Sequence, residues 1–166
     1  MIGNTQIASQ NEYYITGLAL AQSILDEAKT KAFDQNTATK VDTVVPRAGM
    51  TSPTLLNHEP GENVPSPDFL TPANPYGPQN QGYFSAVKFN DIDDYNGYSR
   101  LVNTPRAENY KLLVTVNYAS ETFPDSNSAI GTYCKKMTVK VTSPYFPKRG
   151  DNGGPDTLSV SYAFTY

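Results

Sequence analysis

Three segments near the C-terminal end alternate apolar and polar residues without a break. This pattern constrains the fold more than anything else in the chain. Tyr110, Leu112, Val114, Val116 and Tyr118 take every second position of the first. Met137, Val139 and Val141 alternate with Thr138, Lys140 and Thr142 in the second. Leu158, Val160, Tyr162, Phe164 and Tyr166 alternate with Ser159, Ser161, Ala163 and Thr165 in the third. A period of two gives a strand with one apolar face and one polar face. The links ASETFPDSNSAIGT and SPYFPKRGDNGGPD are rich in turn residues, so an antiparallel meander is the economical topology. A shorter strand around Tyr98 to Val102 is expected before them. One apolar sheet face then needs cover.

The available cover lies at the other end of the chain. Tyr14, Leu18, Ala21, Leu25, Ala28 and Ala32 recur at spacings that place them in one helical stripe. Ile15 and Ile24 widen it, Asn4 is a cap for the first turn, and Asp26 and Lys29 face outward. The expected packing stripe is therefore Tyr14, Leu18, Ala21, Leu25 and Ala28 on a helix over 5–33. Gly17 inside it costs about 1 kcal/mol relative to alanine, and its missing side chain permits close approach by a neighbouring element.

Between helix and sheet the chain changes character. Pro46, Pro53, Pro60, Pro65, Pro67, Pro72, Pro75 and Pro78 forbid a long helix or a central strand. The reading is an ordered loop pinned by Val44–Val45, Leu55–Leu56 and Phe69–Leu70. The expectation is a single α+β domain over 1–166. A long N-terminal helix packs on a C-terminal antiparallel sheet over 98–166, joined by a Pro-rich αβ loop over 34–97.

Composition narrows the function classes. Only 17% of the residues are charged, 12 are Tyr and none is Trp, which fits a secreted or surface-exposed β-rich protein. The net charge of −3 supplies no basic footprint for nucleic acid or anionic lipid. Lys135–Lys136 and Lys148–Arg149 read as a solvated strand face or loop. Cys134 is the only cysteine, so it has no internal disulfide partner. Beside an alternating pattern it reads as a half-buried structural thiol. His58 is the only histidine and sits in the Pro-rich loop, which makes a nucleophile–histidine pair a poor candidate. No P-loop, dinucleotide fingerprint, nucleophile elbow or zinc helix occurs. The expectation is a protein that is not an enzyme.

The order of segments resembles a known family. TGLALAQSILDEAKTKAFDQNT, from Thr16 to Thr37, is similar to the helix of minor pilin-like proteins. FNDIDDYNGYS, KKMTVKVTSP and DTLSVSYAFTY also look like segments of such bacterial prepilin-like proteins. Together they resemble the type IV pilin fold, shared with the pseudopilins of type II secretion. The resemblance touches the helix and the C-terminal half and leaves out 38–80. It implies an extracytoplasmic structural subunit that assembles through its N-terminal helix with other pilin or pseudopilin subunits. Members of that family begin with a basic leader and an apolar anchor of about twenty residues. Here Met1 is followed almost at once by polar residues. The expectation is a soluble domain of a longer precursor, tied to the membrane only through an anchor absent from this chain.

FNDIDDYNGYS carries the densest set of oxygen ligands. Asp91, Asp93, Asp94 and Asn96 could offer calcium several oxygens from one turn. The EF-hand spacing fails, because Tyr95 takes the fifth position, Gly97 comes one residue late and Val102 takes the twelfth. Some pseudopilins bind calcium in loops near the sheet. No other cofactor is implied. The first reading is a turn whose aspartates bond backbone amides, with Asn96–Gly97 closing it. Ile92 and Tyr95, or Phe89 and Tyr98, anchor it on the sheet. The three aspartates are too close in sequence to act as two acids across a cleft.

Tyr13, Tyr14, Tyr76, Tyr83, Tyr95 and Tyr98 are candidates for a recognition surface, set against ordinary packing. A secreted carbohydrate- or protein-binding β-domain, or a phage structural protein, is the second reading. It predicts a sandwich with no long spine helix.

Overall fold

A computed structural model describes residues 2–34, 68–69, 83–148 and 153–166. Helix α1 spans Ile2–Ala28. Strand β1, Asp68–Phe69, is followed by a short helix α2, Phe84–Lys88, and a single 3-10 turn, Asp93–Tyr95. Four further strands complete the chain: β2 (Ser99–Val102), β3 (Tyr110–Tyr118), β4 (Cys134–Thr142) and β5 (Thr157–Thr165). The sheet order is β1-β2-β3-β4-β5. β2 to β5 pair antiparallel in sequence order, and β1 pairs parallel to β2. The protein is α+β, a helix on one sheet that is antiparallel from β2 to β5 and parallel at β1.

The alternation places the strands as expected. In-register rows run Leu112, Val141, Leu158 and Val114, Val139, Val160 across β3, β4 and β5. Tyr110, Leu112, Val114 and Val116 of β3 and Met137, Val139 and Val141 of β4 are all buried. Against them α1 packs Ala21, Ile24, Leu25 and Ala28. The described residues form one sheet and no facing second sheet, so the core lies between helix and sheet.

The helix stripe needs correction. Leu18 is 48% exposed and Ile15 is 66% exposed. Gly17 is buried in their place, while Ile24 is buried as expected. Phe146, in the link between β4 and β5, decides this rotation. Its ring stacks on Tyr14, with centroids 4.5 Å apart and planes 6° from parallel. A Cβ on Gly17 would lie 2.8 Å from Phe146 Cζ. A glycine therefore belongs on the packed face, and Leu18, one residue on, turns toward solvent. Asn4 lies within the helix rather than before it, since α1 begins at Ile2.

The helix also ends earlier than the spacing suggests. Thr30 N and Lys31 N donate to carbonyls three residues back, the tightened turn common at helix ends. Ala32 then leaves the helix for a backbone bridge. Its N–H donates to Asn90 O, and its carbonyl accepts from Ile92 N, both at 3.1 Å. Those groups are unavailable to α1, so residues 29–33 are not helical.

The 34–97 stretch contains more structure than a loop. It holds β1, α2 and the 3-10 turn. Its prolines, its apolar anchors apart from Phe69, and His58 fall outside the described residues.

Candidate functional site

The acidic turn is built by its own backbone. Asp91 Oδ1 accepts from the amides of Asp93 at 2.9 Å and Asp94 at 3.2 Å. Asp94 Oδ2 reaches back to the amides of Asn90 at 2.8 Å and Asp91 at 3.4 Å. Asn96 Oδ1 accepts from Val116 N at 3.1 Å and ties the turn to β3. Gly97 takes φ +82°, and its amide donates to Val114 O. A side chain is strained at that angle. Phe89, Ile92, Tyr95 and Tyr98 are all buried around it, so both expected anchor pairs pack. The rings of Tyr95 and Tyr98 meet Phe89 edge-on, with centroids 4.9 and 5.2 Å away.

The structure brings Asp91, Asp93 and Asp94 together, all at most 4% exposed. Their oxygens, however, are directed apart. Asp93 points at Lys135, whose Nζ lies 2.8 Å from its Oδ1. That is a charge contact outside the directional range of a hydrogen bond. Lys135 Nζ also sits 3.6 Å from Asp34 Oδ2 and donates to Phe33 O at 2.8 Å. An ammonium of the chain itself thus contacts both Asp93 and Asp34. No group of three or more His, Cys, Asp or Glu that could hold a metal occurs among the described residues. The geometry favours the turn over calcium.

Burial dominates the electrostatics here. It pushes the Asp93 carboxyl up from 3.8 to about 7. The adjacent ammonium pulls it down, and the nearby Asp91 and Asp34 push it further up. A second polar network lies closer to β2. Glu27 accepts from Tyr95 OH at 2.8 Å and from Arg100 Nη2 at 3.2 Å. Arg100 also donates to Ser85 Oγ at 2.8 Å and Tyr98 OH at 3.0 Å. Its guanidinium lies 3.4 Å from the ring centre of Tyr83. The Tyr95 hydroxyl is raised well above the usual phenol range, by burial first and by Glu27 second. These two networks clamp the C-terminal end of α1 and α2 to the sheet.

Neither Lys135 nor Arg100 is among the residues the spacing singles out. The Lys135–Lys136 pair is expected on a solvated strand face or loop, yet Lys135 is wholly buried. The signal was present in its phase. Lys135 falls in step with Met137, Val139 and Val141, and Arg100 falls in step with Val102. A charged residue in phase with the apolar face predicts a buried partner. Asp34 and Glu27 offered no comparable signal. Cys134 is fully rather than half buried, and burial raises its thiol.

The tyrosine candidates divide. Tyr95 and Tyr98 are fully buried and present no recognition surface, and Tyr83 lies against Arg100. Tyr13 and Tyr14 pack partly on the core. Tyr76 lies outside the described residues.

What α1 leaves in solvent is the contrasting surface. Ile15 and Leu18 sit one turn apart on the exposed side. Among the described side chains, no residue of α1 before Gly17 is buried. No described helix is long and apolar enough to cross a membrane. No family model matches the chain, and no curated protein or solved structure matches it either.

Proposed function

We propose that the protein is a structural subunit of an extracytoplasmic filament, of the type IV pilin or type II secretion pseudopilin kind. It contacts neighbouring subunits through the solvent side of α1. One observation carries this reading. A continuous helix of 27 residues buries Ala21, Ile24, Leu25 and Ala28 on the sheet, while Ile15 and Leu18 on its other side stay in solvent. A helix that served only its own core would turn its large apolar side chains inward. The single sheet, with no second sheet among the described residues, suits a scaffold built around a spine. The Glu27–Arg100 pair suits it too, because it ties the end of the spine to the sheet. The turn works as a brace, and no reaction is assigned to it.

The test is made in cells that express the protein from its own gene. Wild type is expected outside the cytoplasm and in the sedimenting filament fraction. Ile15→Asp with Leu18→Asp is expected to leave the domain folded and remove it from that fraction. A freely secreted protein whose distribution ignores both substitutions would sink the reading.

A further inference from the structure

The two edges of the sheet differ. On one side β2 is four residues long, carries Arg100 and is followed outward by the two-residue β1. On the other side β5 runs nine residues with an unbroken register to β4. Nothing among the described residues pairs with its outer edge. TLSVSYAFT contains no proline and no charge. Proteins usually blunt an exposed edge with proline, lysine, a bulge or a short strand. β5 has none of these.

The inner face is also incompletely covered at this edge. The facing residues of β4, Met137, Val139 and Val141, are fully buried. Their partners on β5 are less so: Leu158 and Val160 are half-buried, and Tyr162 is 43% exposed. The apolar layer continues to the last strand, where Lys29 Nζ lies 4.5 Å from the ring centre of Tyr162 and leaves it partly exposed.

Hydrogen-bond phase and side-chain phase agree on what can complete it. Tyr166 N donates to Tyr133 O, toward the β4 side. By antiparallel alternation the even-numbered residues of β5 bond β4. The odd-numbered residues Thr157, Ser159, Ser161, Ala163 and Thr165 then direct their N–H and C=O outward. An antiparallel partner must match odd with odd if it is another β5. That same rule sets Ser, Thr and Ala against each other on one face and Leu, Val, Tyr and Phe on the other. The register centred on Ser161 uses all nine residues. It places Val160 opposite Tyr162 and Leu158 opposite Phe164. It sets no charge against a like charge.

We infer that this edge is a homodimer interface, in which β5 of two copies pair antiparallel about a twofold axis at Ser161. The contact is isologous and closes on itself. It is therefore independent of a filament contact through α1, and either stands if the other fails.

Cysteine placement tests the register in the full chain. Ser161 is exposed and meets its own counterpart at about 5.5 Å between Cα atoms, within disulfide range. Under mild oxidation Ser161→Cys is expected to form a covalent dimer at least tenfold faster than Thr165→Cys alone. Thr157→Cys mixed with Thr165→Cys is expected to give the crossed dimer. The buried Cys134 is controlled by the wild-type chain. In sedimentation the wild type is expected to dimerise with rising concentration, and Ser161→Lys, which sets two ammonium groups opposite each other, to stay monomeric. A wild type that is monomeric throughout would overturn the inference, as would equal cross-linking at 161 and 165. So would outer-edge amides protected from hydrogen exchange in a monomer, which would place another segment of this chain on the edge.

Discussion

The ammonium of Lys135 lies 2.8 Å from the carboxylate of Asp93, and both side chains are almost wholly removed from water. The contact spans a strand and a turn that lie far apart in the sequence. A lone charge at either position would bear most of its desolvation cost unpaired. Asp34, at 3.6 Å, brings the segment that follows α1 to the same ammonium.

Replacing Lys135 with Met is expected to cost about 3–5 kcal/mol, the usual loss when one partner of a buried pair is removed. Adding Asp93→Asn to that variant should recover part of the loss, because the buried carboxyl left without its ammonium goes with it. Urea denaturation of the two single variants and the double variant measures the coupling. A Lys135→Met protein as stable as wild type would contradict the buried pair.

Stability should also fall as pH rises across mildly acidic conditions. The Asp93 carboxyl sits near 7 in the folded protein against an ordinary 3.8. The folded state therefore holds this proton more tightly than the unfolded chain does. The contribution is fully present below the ordinary value and is lost as pH rises through the folded value. Asp93→Asn should flatten the decline between pH 4 and 7. Denaturation midpoints taken across that window compare the two proteins.

Gly17→Ala should destabilise even though alanine favours helix by about 1 kcal/mol. The new methyl would meet Phe146 Cζ at 2.8 Å, and overpacking costs about 1–3 kcal/mol. Leu18→Ala, one residue further, should change stability by no more than about 0.5 kcal/mol, as at other exposed sites. If Leu18→Ala proved the worse of the two, the orientation of α1 would be wrong.

Asp91→Ala removes the acceptor for the Asp93 and Asp94 amides. The expected loss is about 1–2 kcal/mol, like that of a helix-cap residue. Because the acidic oxygens serve amides and an ammonium, millimolar calcium should leave the melting temperature of wild type and variant unchanged. A calcium-dependent rise in wild type that Asp91→Ala abolishes would restore the metal reading.

Periodicity alone placed β3, β4 and β5 to within three residues at their ends, because a strand's side chains must alternate between two environments. The same local rule showed that the chain begins in a helix and that Gly17 admits a close neighbour. It also contains the phase that buries Lys135 and Arg100. Local rules stop where an outcome depends on a distant partner. Whether Leu18 or Gly17 faces the sheet depends on Phe146, which arrives from the β4–β5 link. Where α1 ends depends on Asn90 and Ile92, whose backbone groups capture Ala32. What Asp93 faces depends on a strand that enters more than 40 residues later and brings the Lys135 ammonium to it. Spacing reports which face a side chain takes, whereas only packing in three dimensions brings the partner that gives a buried charge or a missing side chain its role.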